Sequence, residues 1–146
     1  MSLESYLALS KKRANEEKAI LESLSKRSLS PIEIRAAKNS LQVLIENAIG
    51  KAKKILKYYH CPIIPQRSKD AFYILNEVGA IEEEEYRNLS AAIGFRNALI
   101  HDYLEFSDTI LLDVLEKKKW ISVYNFLQED IVYENYIIKR IENFTF

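Results

Sequence analysis

Apolar residues recur along the chain at the three-, four- and seven-residue spacings of amphipathic helices, and no segment sustains the alternation of a half-buried strand. The first such run covers Ser2 to Lys26, with Leu3, Leu7, Ala14, Leu21 and Leu24 on one face. A second opens at Ser30-Pro31-Ile32-Glu33, where Ser30 predicts an N-cap, Pro31 fits the first turn and Glu33 completes a capping box. Its inward face reads Ile34, Ala37, Leu41, Leu44, Ala48, Ala52, Ile55 and Tyr59. It should stop near His60, because Pro62 disfavours helical geometry at Cys61. Residues 61–67, with Pro62 and Pro65, read as an extended connector. Ser68 then caps a short third helix that ends at Gly79, a residue suited to a left-handed cap.

The fourth helix begins near Ile81-Glu82, and the glutamates from Glu82 to Glu85 suit the positive end of its dipole. They read as a solvated first turn rather than a metal site. Ser107 or Asp108 starts a last helix that runs to about Ile141, with Leu111, Leu115, Ile121, Leu127, Ile131, Ile138 and Ile141 inward and room for a break near Trp120. The pattern predicts an all-α protein: one helical domain over residues 1–146, an antiparallel bundle of about five helices.

Composition narrows the function. Three glycines and three prolines in 146 residues leave long stretches without breakers. The 21 basic and 21 acidic side chains balance, which argues against a protein that coats nucleic acid through bulk positive charge but leaves room for a local patch. One cysteine and two histidines cannot complete a structural zinc site, and Cys61 has no internal disulfide partner. The first residues lack the apolar core of a signal peptide, and no run approaches the roughly 18 apolar residues of a membrane span. The expectation is a soluble cytoplasmic protein, with no metal, no cofactor and no membrane partner.

Against this background the fourth helix carries a misfit. Leu89, Ile93, Arg96, Ile100 and Tyr103 form one stripe at about 100° per residue, so Arg96 stands where a core residue belongs. Asn97 and His101 share a second face with Ala91, Gly94 and Ala98, whose small side chains permit close approach of another backbone. Arg96 and His101 diverge by about 140° on an ideal helix. Either the helix ends near His101 and the side chains swing round, or a second copy of the chain contributes; the small-residue face favours a homodimer. Arg and His suit phosphodiester chemistry, the first by matching phosphate with a planar fork and the second by moving a proton near neutral pH. RNA brings its own nucleophile in the 2′-hydroxyl. On spacing alone a structural pair is the commoner use of such residues, with His101 capping carbonyls and Arg96 paired to Asp102 or Glu105.

The segment Arg96-Asn97-Ala-Leu-Ile-His101-Asp102-Tyr103 resembles the signature of the HEPN family, and Gly94-Phe95 before it resembles the HepT branch, the ribonuclease toxins of two-gene HepT–MntA systems. Chain length, the proline-containing connector, the Gly79 turn and the long last helix are similar too. The resemblance implies a metal-independent endoribonuclease toxin with its cleft formed across a homodimer. Arg96 and His101 would be the catalytic pair, Asn97 the polar residue after the Arg, and Tyr103 a site residue that an MntA-like nucleotidyltransferase antitoxin modifies with AMP. The alternative is a non-catalytic helical partner that holds a nucleotide or substrate for a minimal nucleotidyltransferase; a plain dimerisation protein is a third reading. Lys51, Lys53, Lys54 and Lys57 on the second helix offer contacts to RNA or the partner. Lys117 to Lys119 read as a solvated face. Tyr58 and Tyr59 read as edge packing beside a stacking option, and His60 as structural.

Overall fold

The computed structural model describes residues 1–25, 28–101 and 106–146. Among them the chain forms seven α-helices and no strand: α1 (Leu3–Ser23), α2 (Pro31–Tyr58), α3 (Ser68–Glu77), α4 (Glu83–His101), α5 (Asp108–Glu116), α6 (Ile121–Gln128) and α7 (Asn135–Glu142). None of these helices is long and apolar enough to cross a membrane. The all-α bundle is as expected; the count of about five is corrected, because the single last helix is three.

The breaks have identifiable causes. At the end of α5, Lys118 takes a left-handed backbone with φ of 50°. Its N–H bonds to the Leu115 carbonyl at 3.3 Å, and the Lys119 N–H bonds to the Val114 carbonyl at 3.0 Å, the paired bonds of a Schellman cap. Helix α6 stops at Gln128, where the ammonium of Lys51 on α2 binds the carbonyls of Phe126 and Glu129, each at 2.6 Å. A cation at the negative end of a helix satisfies carbonyls that further helix would otherwise bond. With these turns the inward face shifts. Val123, Phe126 and Leu127 are buried in α6 while Ile121 is exposed, and in α7 Ile137 and Ile141 are buried while Ile138 is only half-buried.

Several local signals act where they were read. Ser30 and Glu33 form the reciprocal capping box, with the Glu33 N–H on Ser30 Oγ at 3.2 Å and the Ser30 N–H on Glu33 Oε1 at 3.0 Å. Ser107 caps α5 by accepting from the Thr109 N–H. Helix α2 is the centre of the bundle and packs against α1, α3, α4 and α6. Its buried residues include Ala37, Leu41, Leu44, Ala48, Ala52 and Ile55. A Cβ on Gly50 would meet the Tyr6 hydroxyl at 3.0 Å, so the bare glycine lets α1 lie close.

The hairpin of α3 and α4 positions the site. Gly79 turns the chain with φ of 87°, and Ala80 and Ile81 both donate to the Leu75 carbonyl. Beyond the turn, Asn76 bonds Glu83 at 2.9 Å, the Tyr73 and Tyr86 rings meet at 6.3 Å, and Arg96 reaches Ser68 at 3.0 Å. Partner numbers move apart in opposite directions, as in two antiparallel helices. The beginning of α3 therefore lies beside the end of α4.

Candidate active site

Helix α4 buries Leu89, Ile93 and Leu99, and Arg96 continues that side half-buried. The guanidinium meets the first turn of α3 instead of a core side chain. Its Nη2 donates to Ser68 Oγ at 3.0 Å, while its Nε is buried with no hydrogen-bond partner among the described residues. Ser68 was expected to cap α3, but the N-cap position belongs to Arg67, whose N–H bonds the Asp70 carboxylate at 3.3 Å. The Ser68 hydroxyl is thereby free to hold Arg96.

A groove of about 750 Å³ lies between these elements, lined by Arg96, Asn97, His101 and Gly94 of α4, by Tyr73, Tyr86 and Ser90, and by residues 66–70 before and within α3. Arg96 and His101 thus open onto one groove of a single chain despite diverging around the helix. His101 is the last residue of α4 and is exposed, as is Asn97. On the second face, expected to accept a close neighbour, Ala91 and Gly94 are exposed and Ala98 is half-buried, and a Cβ on Gly94 would meet nothing within 4 Å. Tyr103, Asp102 and Glu105 lie outside the described residues. Among the described residues, no three His, Cys, Asp or Glu side chains group as metal ligands.

The lysines of α2 separate. Lys51 is corrected from a surface contact to a buried group: it is 1% exposed, it caps α6, and burial pushes its pKa down to about 8. Lys54 is half-buried with its ammonium 5.4 Å from the Tyr6 ring centre. Lys53 and Lys57 are exposed and line a second hollow of about 560 Å³ together with His60 and Cys61. Lys117 and Lys119 both pair with Asp113, at 2.9 and 2.6 Å.

The all-α fold agrees with the comparison to known families. The profile of the family described as "Ribonuclease HepT-like" matches residues 4–135. The chain belongs to the HepT-like ribonuclease family. No curated protein matches it in sequence. Two solved structures share the fold of this chain. One, a toxin–antitoxin crystal structure with AMP-PNP, superposes with a TM-score of 0.76 at 20% identity, over 87% of this chain and 97% of that one. The other, a tri-AMPylated Shewanella oneidensis HEPN toxin in complex with MNT antitoxin, gives 0.75 at 21% identity, over 87% and 96%. At these identities the likeness is one of fold.

Ser68 lines the groove beside Arg96, whereas the sequence pattern reads it only as the cap of α3. The register of the α3–α4 hairpin carries the signal. Counting outward from the Gly79 turn places the start of α3 beside the last turns of α4.

Proposed function

We propose that this chain is a metal-independent endoribonuclease, the toxin of a two-gene module. The observation that carries the reading is the opening of Arg96 and His101 onto one groove, with the guanidinium anchored by Ser68. In the proposed reaction the 2′-hydroxyl of the RNA attacks the adjacent phosphorus and the bond to the 5′-oxygen breaks. The products carry a 2′,3′-cyclic phosphate and a 5′-hydroxyl. His101 moves the proton, and Arg96 meets the negative charge that builds on the phosphoryl oxygens. Asn97 borders the same groove and orients the phosphate. The family match supports ribonuclease chemistry.

Two further parts of the reading concern assembly and control. The exposed Ala91 and Gly94 face suits a homodimer, which would set two such grooves side by side. A nucleotidyltransferase antitoxin would silence the toxin by moving AMP onto Tyr103, two positions beyond His101. The bulk would fill the groove and its phosphate would pair with Arg96 while repelling RNA. The AMPylated HEPN toxin with its MNT antitoxin among the fold neighbours supports this part.

The test is RNA cleavage by purified protein in excess chelator. His101→Ala and Arg96→Ala should each lower the rate by about 10²–10³-fold while the variants stay folded. A 2′-deoxy sugar at the cut site should block the reaction. Cleavage that requires magnesium would overturn the mechanism, and normal cleavage by the His101 variant would overturn the site. Mass spectrometry after co-expression with the adjacent nucleotidyltransferase should find AMP on Tyr103; modification elsewhere refutes that assignment.

A further inference from the structure

The neutral net charge conceals a polarised surface. Among the described residues, most paired cations lie away from the connector: Lys11 with Asp130, Lys38 with Asp108, Arg87 with Glu83, and Lys117 and Lys119 with Asp113. Glu82, Glu84 and Glu85 at the start of α4 and Glu129 after α6 together line one small hollow. At the opposite end of α4 the balance reverses. The groove of Arg96 and His101 also contains Arg67 and Lys69, and among the described residues Asp70 is its one acidic lining residue. Among the described residues, the hollow of Lys53, Lys57 and His60 is lined by no acidic side chain. No carboxylate lies within ion-pair distance of Lys53, Lys57 or Lys69 among the described residues.

These two hollows abut. Pro65 lines one and Gln66, the next residue, lines the other, so the connector of residues 61–67 runs from the first hollow into the second. The connector is apolar on the lysine side, where Ile64 is 77% exposed. The Schellman cap of α2 turns His60 into a left-handed backbone with φ of 58° at the rim of that hollow. Tyr58, next to Lys57, is also exposed. Unpaired cations beside exposed apolar and aromatic surface are what a single RNA strand needs, with phosphates on the lysines and base faces on the rings.

We propose that Lys53, Lys57 and His60 hold the RNA strand where it leaves the Arg96–His101 groove across the connector, so that substrate is gripped over several nucleotides rather than at the scissile phosphate alone. This rests on the ribonuclease reading for its direction but is tested by binding. The probe is a single-stranded oligoribonucleotide of about 12 nucleotides with 2′-O-methyl riboses, which cannot be cut, beside a version of about three nucleotides. Fluorescence anisotropy is recorded across a range of salt concentrations for the wild type, for Lys53→Glu/Lys57→Glu, and for Lys12→Glu/Arg35→Glu. The last pair carries the same charge change on exposed sites outside both hollows.

The track variant should bind the longer probe about tenfold or more weakly, with a salt slope shallower by about 1.4 for two lost phosphate contacts. The control variant should keep most of its affinity, and the short probe should not distinguish the track variant from wild type. Unchanged binding of the longer probe, equal loss for both lengths, or equal loss in the control would each overturn the track. If the wild type cuts RNA and the track variant binds unchanged, the track falls and the ribonuclease reading stands. If the slope changes as expected and the wild type cuts no RNA, the track stands and the ribonuclease reading falls.

Discussion

Ser68→Ala is the sharpest probe of how the groove is built. The substitution removes one hydroxyl and leaves the N-cap of α3 untouched, because that position belongs to Arg67. What it removes is the side-chain acceptor of Arg96 Nη2, at 3.0 Å. A hydrogen bond to a charged donor contributes about 1.5–3 kcal/mol net, and the open groove puts this one at the lower end. About 1.4 kcal/mol is one decade in rate, so kcat/KM for RNA cleavage should fall about tenfold. Ser68 is a positioning residue, and its effect should travel through Arg96. In an Arg96→Ala background the second substitution should therefore change single-turnover cleavage by less than about twofold. The variant should lose no more than about 1.5 kcal/mol of stability with that bond and stay folded in the assay, and Ser68→Thr, which keeps the hydroxyl, should recover part of the rate. Multiplying effects of Ser68→Ala and Arg96→Ala, or a fall in stability large enough to explain the rate, would refute the anchoring.

Lys51→Met keeps the aliphatic stem and strips the ammonium from the Phe126 and Glu129 carbonyls; urea unfolding at neutral pH should show a loss of about 2–4 kcal/mol. Because burial lowers the Lys51 pKa to about 8, the unfolded chain binds the extra proton between pH 8 and 10.5, so this group makes stability rise with pH across that window; the rise should be absent from Lys51→Met. Lys118→Gly relieves a left-handed backbone at the end of α5 and should raise stability by about 0.5–1 kcal/mol, read as an increase in Tm; an unchanged or lower Tm would mean that Lys118 carries no strain.

These residues also show why the sequence was legible in some places and not in others. The Ser30–Glu33 box, the Ser107 cap and the Gly79 turn are local: each needs only residues within a few positions, and each acts as read. The ends of α5 and α6 are not of that kind. Lys118 occupies a left-handed position without being Gly or Asn, so the pattern had nothing to announce. The end of α6 is capped from α2 by Lys51, 75 positions away from Phe126 in sequence. The same residue looks like a surface cation because it shares a basic run with Lys53, Lys54 and Lys57. Its long stem carries the charge through the core to two carbonyls, which no count of charges reveals. In the site, Arg96, Asn97 and His101 were visible as misfits on an apolar helix, whereas Ser68 required the pairing of α3 with α4.

Arg96 is placed against local stability. It sits on the side of α4 that buries Leu89 and Ile93, where an aliphatic residue would pack without burying an Nε that has no hydrogen-bond partner among the described residues. Its guanidinium lies at the N-terminal end of α3, the positive end of that helix dipole, where a cation is disfavoured by about 0.3–1 kcal/mol. Arg67 and Lys69 share the groove, and the Asp70 carboxylate there is already engaged with Arg67. Cation, helix terminus and further cations repel one another until an anion enters, and then each of them attracts it. The arrangement that is poor for the empty fold is the one that fits a phosphate. This is the physical sense in which the misfit on α4 points to function: a core position was given up to a charge that, among the described residues, has the Ser68 hydroxyl as its hydrogen-bond partner and no carboxylate.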